Sequence, residues 1–141
     1  RHLGCVNGTN ELFSAAFRGR AVVRVQNPLR LSNYTEPQPD IVVLKPRKDS
    51  YRSKHPEAED ALLVVEVADT TLSYDQNVKL PRYAISGVPE VWIENLENDL
   101  LLVFRDPAGD TYQTCITLHR GESISVAVFP DAVFKVEDLL G

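Results

Sequence analysis

The chain has 141 residues, 43% hydrophobic and 25% charged, with a mean hydropathy of −0.19. That suits one domain spanning 1–141 with a real core, and no apolar stretch is long enough to cross a bilayer. A net charge of −5 excludes a protein that coats nucleic acid through counterion release alone, so any such contact must be local.

Residues 2–18 read as a helix, with Val6, Phe13 and Phe17 near one side, joined by Leu12 and Ala16, before Arg18-Gly19-Arg20 ends the pattern. Residues 21–26 are β-branched and alternate as a strand does, while Asn27-Pro28 and 32–39 read as turn and loop. Pro39 leads into a short apolar strand over 40–44. Residues 45–60 are almost wholly polar and predict an exposed loop. Its first part sets Lys45, Arg47, Lys48, Arg52 and Lys54 against Asp49, the most basic stretch of an acidic chain. Two readings stand for it: a solvated loop, or an arm that contacts phosphates.

Residues 61–68 predict the main core strand, since Leu62-Leu63-Val64-Val65 and Val67 leave little polar surface on either face. Glu66 is the exception. Ser73 with Gln76 three residues on gives a capping-box signal for a helix to about Ser86, with Gly87 as its stop and Pro81 as a kink or irregularity. Residues 90–95 and 100–105 predict an antiparallel hairpin around Glu97-Asn98-Asp99, and 111–118 a third strand. Short strands over 123–128 and 133–136 and a terminal helical turn over 137–140 complete the chain. The order predicts an α/β or α+β fold: a mixed central sheet flanked by helices, with a C-terminal antiparallel meander.

Cys5 and Cys115 lack zinc-ligand spacing and read as two reduced, partly buried thiols, with a disulfide as the alternative. Arg1-His2-Leu3-Gly4 does not open a secretory signal, which points to the cytoplasm. With no methionine in it, the chain reads as a piece of a longer protein. His55 and His119 sit in polar turns and receive no role. Trp92 alternates with Val91 and Ile93 on a strand, which favours packing over base stacking.

A carboxylate inside Leu-Leu-Val-Val-Glu-Val-Ala must find a partner, take up a proton or face a wet cleft, because burying it unpaired costs several kcal/mol. On a strand, Leu62, Val64, Glu66 and Ala68 share a face, and Glu66 lies near the carboxyl end, where α/β sheets form ligand crevices. The alternative is a strand-end Glu turned to solvent or to a basic side chain. Asp40 heads the neighbouring apolar run, so the two carboxylates lie side by side if the strands pair. Two such acids repel unless a proton or a metal neutralises them, and Mg²⁺ is bound through one or two carboxylates with water and phosphate oxygens. Taken alone, Pro-Asp is also ordinary turn chemistry. Asp75, Lys79 and Tyr83 are four apart on the following helix and share a face, whether as site residues or as a surface ion pair.

Pro39-Asp40-Ile41-Val42-Val43, then Leu63-Val64-Val65-Glu66-Val67, then a lysine, resembles the PD-(D/E)xK nuclease superfamily. That superfamily places its lysine two residues after the acid, where this chain has Ala68. Tyr74-Asp75 with Lys79 and Tyr83-Ala84, followed by Gly87-Val88-Pro89-Glu90-Val91-Trp92-Ile93, is similar to the Uma-two group of restriction-endonuclease-like proteins, in which the following helix supplies the lysine. His2 resembles a histidine that precedes the first helix in this group, with a frayed terminal side chain as the alternative. The group carries a further N-terminal strand segment, which implies that this chain begins inside the domain.

The resemblance implies a metal-dependent endonuclease of DNA in which Asp40, Glu66 and the backbone carbonyl of Val67 hold Mg²⁺ or Mn²⁺. Lys79 is then catalytic, Asp75 and Tyr83 support it, and Lys45, Arg47, Lys48, Arg52 and Lys54 contact nucleic acid, with a homodimer implied by analogy. The rival reading is a non-catalytic binding or scaffold domain that keeps the nuclease fold.

Overall fold

The protein is described by a computed structural model that covers residues 1–70 and 74–141. Helix α1 (His2–Ala16) opens the chain. It contains Gly4 and Gly8 and the β-branched Val6 and Thr9, so intrinsic propensity contributes little and packing must hold it. Cys5, Val6, Thr9 and Phe13 form its buried stripe. Phe13 meets Trp92 edge-on at 5.7 Å and Phe134 at 5.2 Å, and Phe17 meets Phe129 at 4.9 Å.

Six strands follow, β1 (Val22–Val25), β2 (Ile41–Leu44), β3 (Ala61–Ala68), β4 (Glu90–Asn95), β5 (Leu100–Ala108) and β6 (Thr111–His119), and they lie in one sheet in chain order. Every neighbouring pair is antiparallel except β3 and β4, which are parallel. The link between them carries a π-helical turn (Asp75–Lys79) that runs into α2 (Leu80–Ile85). After the β4–β5–β6 meander, β7 (Ser123–Ser125) and β8 (Val133–Lys135) form a separate two-stranded ribbon, and α3 (Val136–Leu140) follows.

The sheet is covered on both faces. One core joins Val65, Val67 and Trp92 of the sheet to Phe13 and Phe17, to Phe129 and Phe134 near the ribbon, and to Leu139 of α3. The other joins Val64, Ala68, Val91 and Ile93 to Tyr83 of α2, Leu29 and Tyr51. This is the expected mixed sheet flanked by helices, with its antiparallel meander. Burial on both faces explains why β3 reads as an unbroken apolar run rather than an alternating one.

Three expectations are corrected. Leu62 does not share a face with Val64, because Val43 pairs with Leu63 and Leu44 with Ala61; Leu62 is the extra residue of a bulge and packs with the α1-side core instead. Residues 45–60 are only in part an exposed loop. Tyr51 is buried in the second core and donates a hydrogen bond from its hydroxyl to the Lys45 carbonyl at 2.6 Å, and a 3₁₀ turn (Ala58–Asp60) precedes β3. The cysteines differ from each other: both are free, but Cys5 is buried and Cys115 exposed. Of the capping-box pair, Ser73 lies outside the described residues. Gly87 does stop α2, at a φ of +78°. Among the described residues no helix is long and apolar enough to cross a membrane.

Candidate metal and phosphodiester site

The site forms where β2 begins and β3 ends. Ile41 pairs with Val65, so Asp40 stands one step beyond, opposite Glu66. Two bonds interlock the pair. The Asp40 main-chain N–H donates to Glu66 Oε1 at 3.1 Å, and the Val67 N–H donates to Asp40 Oδ2 at 2.8 Å. The Val67 N–H thus points to the β2 side, beyond the last β2–β3 pair, and on an extended strand its carbonyl faces the same way.

The face toward α2 supplies the remaining partners of Glu66. Tyr83 donates its hydroxyl to Glu66 Oε2 at 2.9 Å, and Lys79 Nζ lies 3.2 Å from the same oxygen and 3.3 Å from Asp75 Oδ1. Lys79 and Tyr83 therefore meet at Glu66, and Asp75 holds Lys79, despite the π-helical turn. Pro81 accounts for the irregularity: it has no N–H and would clash with the carbonyl four residues back in a regular α-helix, and the chain instead closes a wider bond from the Leu80 N–H to the Asp75 carbonyl.

Electrostatics follow burial. Glu66 is only 2% exposed, and its pKa is pushed up to about 7, because burial and the Asp40 carboxylate outweigh Lys79, the Asp40 N–H and Tyr83. Burial works against the Lys79 ammonium, yet the Glu66 and Asp75 carboxylates together hold its pKa above the ordinary lysine value. Tyr83 is raised, first by burial and then by Glu66, so its hydroxyl remains a donor at neutral pH.

Two groups on the α1 side were not foreseen as a unit. His2 belongs to the helix, and its Nε2 lies 3.4 Å from Asp40 Oδ2. Glu94, which pairs with Val67 on β4, is fully buried. It accepts a hydrogen bond from Thr9 Oγ1 at 2.9 Å and one from Cys5 Sγ at 3.2 Å. Burial, with a contribution from Asp40, pushes its pKa up to about 8. The signal was present: Glu94 follows Val91-Trp92-Ile93 as Glu66 follows Val64-Val65, and Cys5 and Thr9 are four apart on the buried face of α1. Trp92 packs as expected, fully buried, with its Nε1 donating to Glu90 Oε2 at 2.7 Å.

The basic stretch leaves from the far end of β2 and doubles back. Arg47 is taken up by Asp49 at 3.1 Å and lies over the Tyr51 ring. Lys45, Lys48, Arg52 and Lys54 are exposed, and Arg52 lines a hollow with Arg24, Asn27 and Pro28. His55 and His119 pair on the surface with Glu36 and Glu122.

A hard divalent cation fits the donors where β2 begins and β3 ends, which are two adjacent carboxylates and a main-chain carbonyl. Among the described residues no group of three or more His, Cys, Asp or Glu is placed to hold a metal ion. The acidic side chains at this end of the two strands are Asp40 and Glu66.

A crystal structure described as that of a "putative nuclease belonging to DUF820" from Anabaena variabilis ATCC 29413 is similar to this chain with a TM-score of 0.75 at 14% identity, covering 99% of this chain and 79% of that one. The type IIG restriction endonuclease BpuSI gives a TM-score of 0.47 at 16% identity over 74% of this chain and 11% of that one. No curated protein matches. The fold is restriction-endonuclease-like. Residues 7–137 match the family described as "Uma2: Putative restriction endonuclease", and the chain belongs to that family.

Proposed function

We propose that the protein is a metal-dependent nuclease that hydrolyses phosphodiester bonds of DNA at the edge formed by Asp40 and Glu66. The observation that carries this reading is the interlocked carboxylate pair with the Lys79 ammonium 3.2 Å from its buried member. Asp40, Glu66 and the Val67 carbonyl would hold Mg²⁺ or Mn²⁺, which when bound supplies Lewis acidity and neutralises phosphate charge.

Lys79 stabilises negative charge that develops on the phosphoryl oxygens as water attacks in line. Asp75 anchors the ammonium from the opposite side, and Tyr83 fixes the carboxylate that Lys79 faces. The exposed Lys45, Lys48, Arg52 and Lys54 are assigned to backbone phosphates, with Arg47 holding the loop's shape. A homodimer goes with this reading, since one small acidic domain has limited surface to grip nucleic acid.

The specific observation that favours a non-catalytic scaffold is that both Glu66 oxygens already have partners within the chain. Hydrolysis of plasmid and single-stranded DNA with Mn²⁺ or Mg²⁺ separates the two. Asp40→Ala and Glu66→Ala should abolish cleavage, and Lys79→Ala should slow it about 10²–10³-fold. Equal activity in all four proteins would end the nuclease reading.

A further inference from the structure

Beside the carboxylate edge lies a hollow of about 190 Å³ lined by Pro37, Gln38, Tyr74, Lys79, Arg82 and Tyr83. The hollow that holds Arg24, Asn27 and Arg52 also has a tyrosine, but that one, Tyr51, is buried. Tyr74 is half exposed, at 51%, and its ring centre lies 5.7 Å from Lys79 Nζ, the same ammonium that touches Glu66, so one face of the ring neighbours the site. Arg82 is exposed and, like Arg18 and Arg52, makes no ion pair among the described residues. The Gln38 side chain is exposed too, and it presents both donors and an acceptor.

An open aromatic ring, an uncommitted guanidinium and a free amide around a small hollow are the parts that receive an unstacked base and its phosphate. A paired base cannot reach such a hollow without leaving the helix stack. The neighbouring site is also recessed, with the Asp40 side chain 15% and the Lys79 side chain 28% exposed, which suits a flexible strand better than a rigid duplex.

We propose that this hollow is a subsite for one unstacked nucleobase, seated against Tyr74 with its phosphate facing Arg82, and that the substrate is single-stranded DNA. The proposal rests on the nuclease reading above, which supplies the scissile phosphate next to the seated base. Gln38 reads the base edge, and Tyr74 supplies stacking that tolerates any base.

The test is fluorescence anisotropy in Ca²⁺ with a labelled oligothymidylate, an abasic deoxyribose-phosphate strand of the same length, and a duplex. Oligothymidylate should bind about tenfold tighter than the abasic strand, the scale of one base–aromatic stack, and tighter than the duplex. Tyr74→Ala should lower oligothymidylate to the abasic level, Tyr74→Phe should retain the difference, and Arg82→Gln should weaken both single strands alike. Equal binding of the base-bearing and abasic strands, no effect of Tyr74→Ala, or no binding of any strand overturns the subsite. Cleavage of plasmid or single-stranded DNA that depends on Asp40 would leave the nuclease reading standing in those cases. Base-dependent binding without any Asp40-dependent cleavage supports the subsite and sinks the nuclease reading.

Discussion

Glu66 and Glu94 are buried carboxylates on adjacent strands and opposite faces of the sheet. Only Glu66 has a cation, Lys79; Glu94 is held by a hydroxyl and a thiol. Both pKa values are raised on folding, to about 7 and about 8, so the folded state binds protons that the unfolded state has already released. The stability they contribute is present in full below the ordinary carboxylate range and is lost as pH rises toward 7 and 8. The urea midpoint of the metal-free protein should therefore fall between pH 5 and pH 8.5. Glu94→Gln, whose amide oxygen can still accept from Thr9, should flatten that slope by at most about 1.4 kcal/mol per pH unit. A wild-type midpoint that is flat over this window would contradict the burial account. On the proposed metal reading Mn²⁺ binding requires release of the Glu66 proton, so its affinity should rise with pH through about 7. Glu66 was legible in the sequence because an acid in an apolar run needs an explanation. Glu94 stands in the same kind of run, but its donor Thr9 is 85 positions away, and nothing local joins them.

At the scale of elements, the π-helical turn and α2 decide where Lys79 points. Pro81→Ala removes the reason for the wider turn and should add helicity by circular dichroism while drawing Lys79 away from Glu66. A displacement of about 1 Å can cost about 10²-fold in rate, and steady-state cleavage would read it. Unchanged cleavage with added helicity would show that the turn does not set the lysine. Gly87 tests the other end. Its φ of +78° is poorly tolerated by a side chain, although an added Cβ would meet nothing within 4 Å, so Gly87→Ala should cost about 1 kcal/mol in chemical denaturation through backbone conformation alone. The sequence marked both features, Pro81 as an irregularity and Gly87 as a stop. It did not reveal which hydrogen bonds replace those Pro81 forbids, because that depends on Lys79 and Tyr83 being drawn to Glu66. The Leu62 bulge was hidden for a similar reason: period-two alternation assumes an unbroken ladder, and the shift is set by pairing with Leu44.

For the molecule as a whole, the site lies at one end of the interior strands β2 and β3, between two cores. The α1-side core positions His2, Thr9 and Cys5, and the α2-side core positions Lys79 and Tyr83. Phe13, fully buried against Trp92 and Phe134, joins α1 to the sheet and ribbon. Phe13→Ala should cost about 3–5 kcal/mol in denaturation, typical of a large core side chain lost to a cavity. A loss below 1 kcal/mol would mean that α1 is held by something else. Layering and the β4–β5–β6 meander were legible from periodicity and turn residues. The folding back of residues 45–60 was not, because one aromatic, Tyr51, anchors an otherwise polar stretch. The central claim is that the edge formed by Asp40 and Glu66 is a metal centre, and calorimetric titration of Mn²⁺ into wild type, Asp40→Ala and Glu66→Gln at pH 8 tests it most directly. The account predicts saturable binding to wild type that is lost in both variants. Absent heat in the wild type, or the same isotherm in all three proteins, would contradict it.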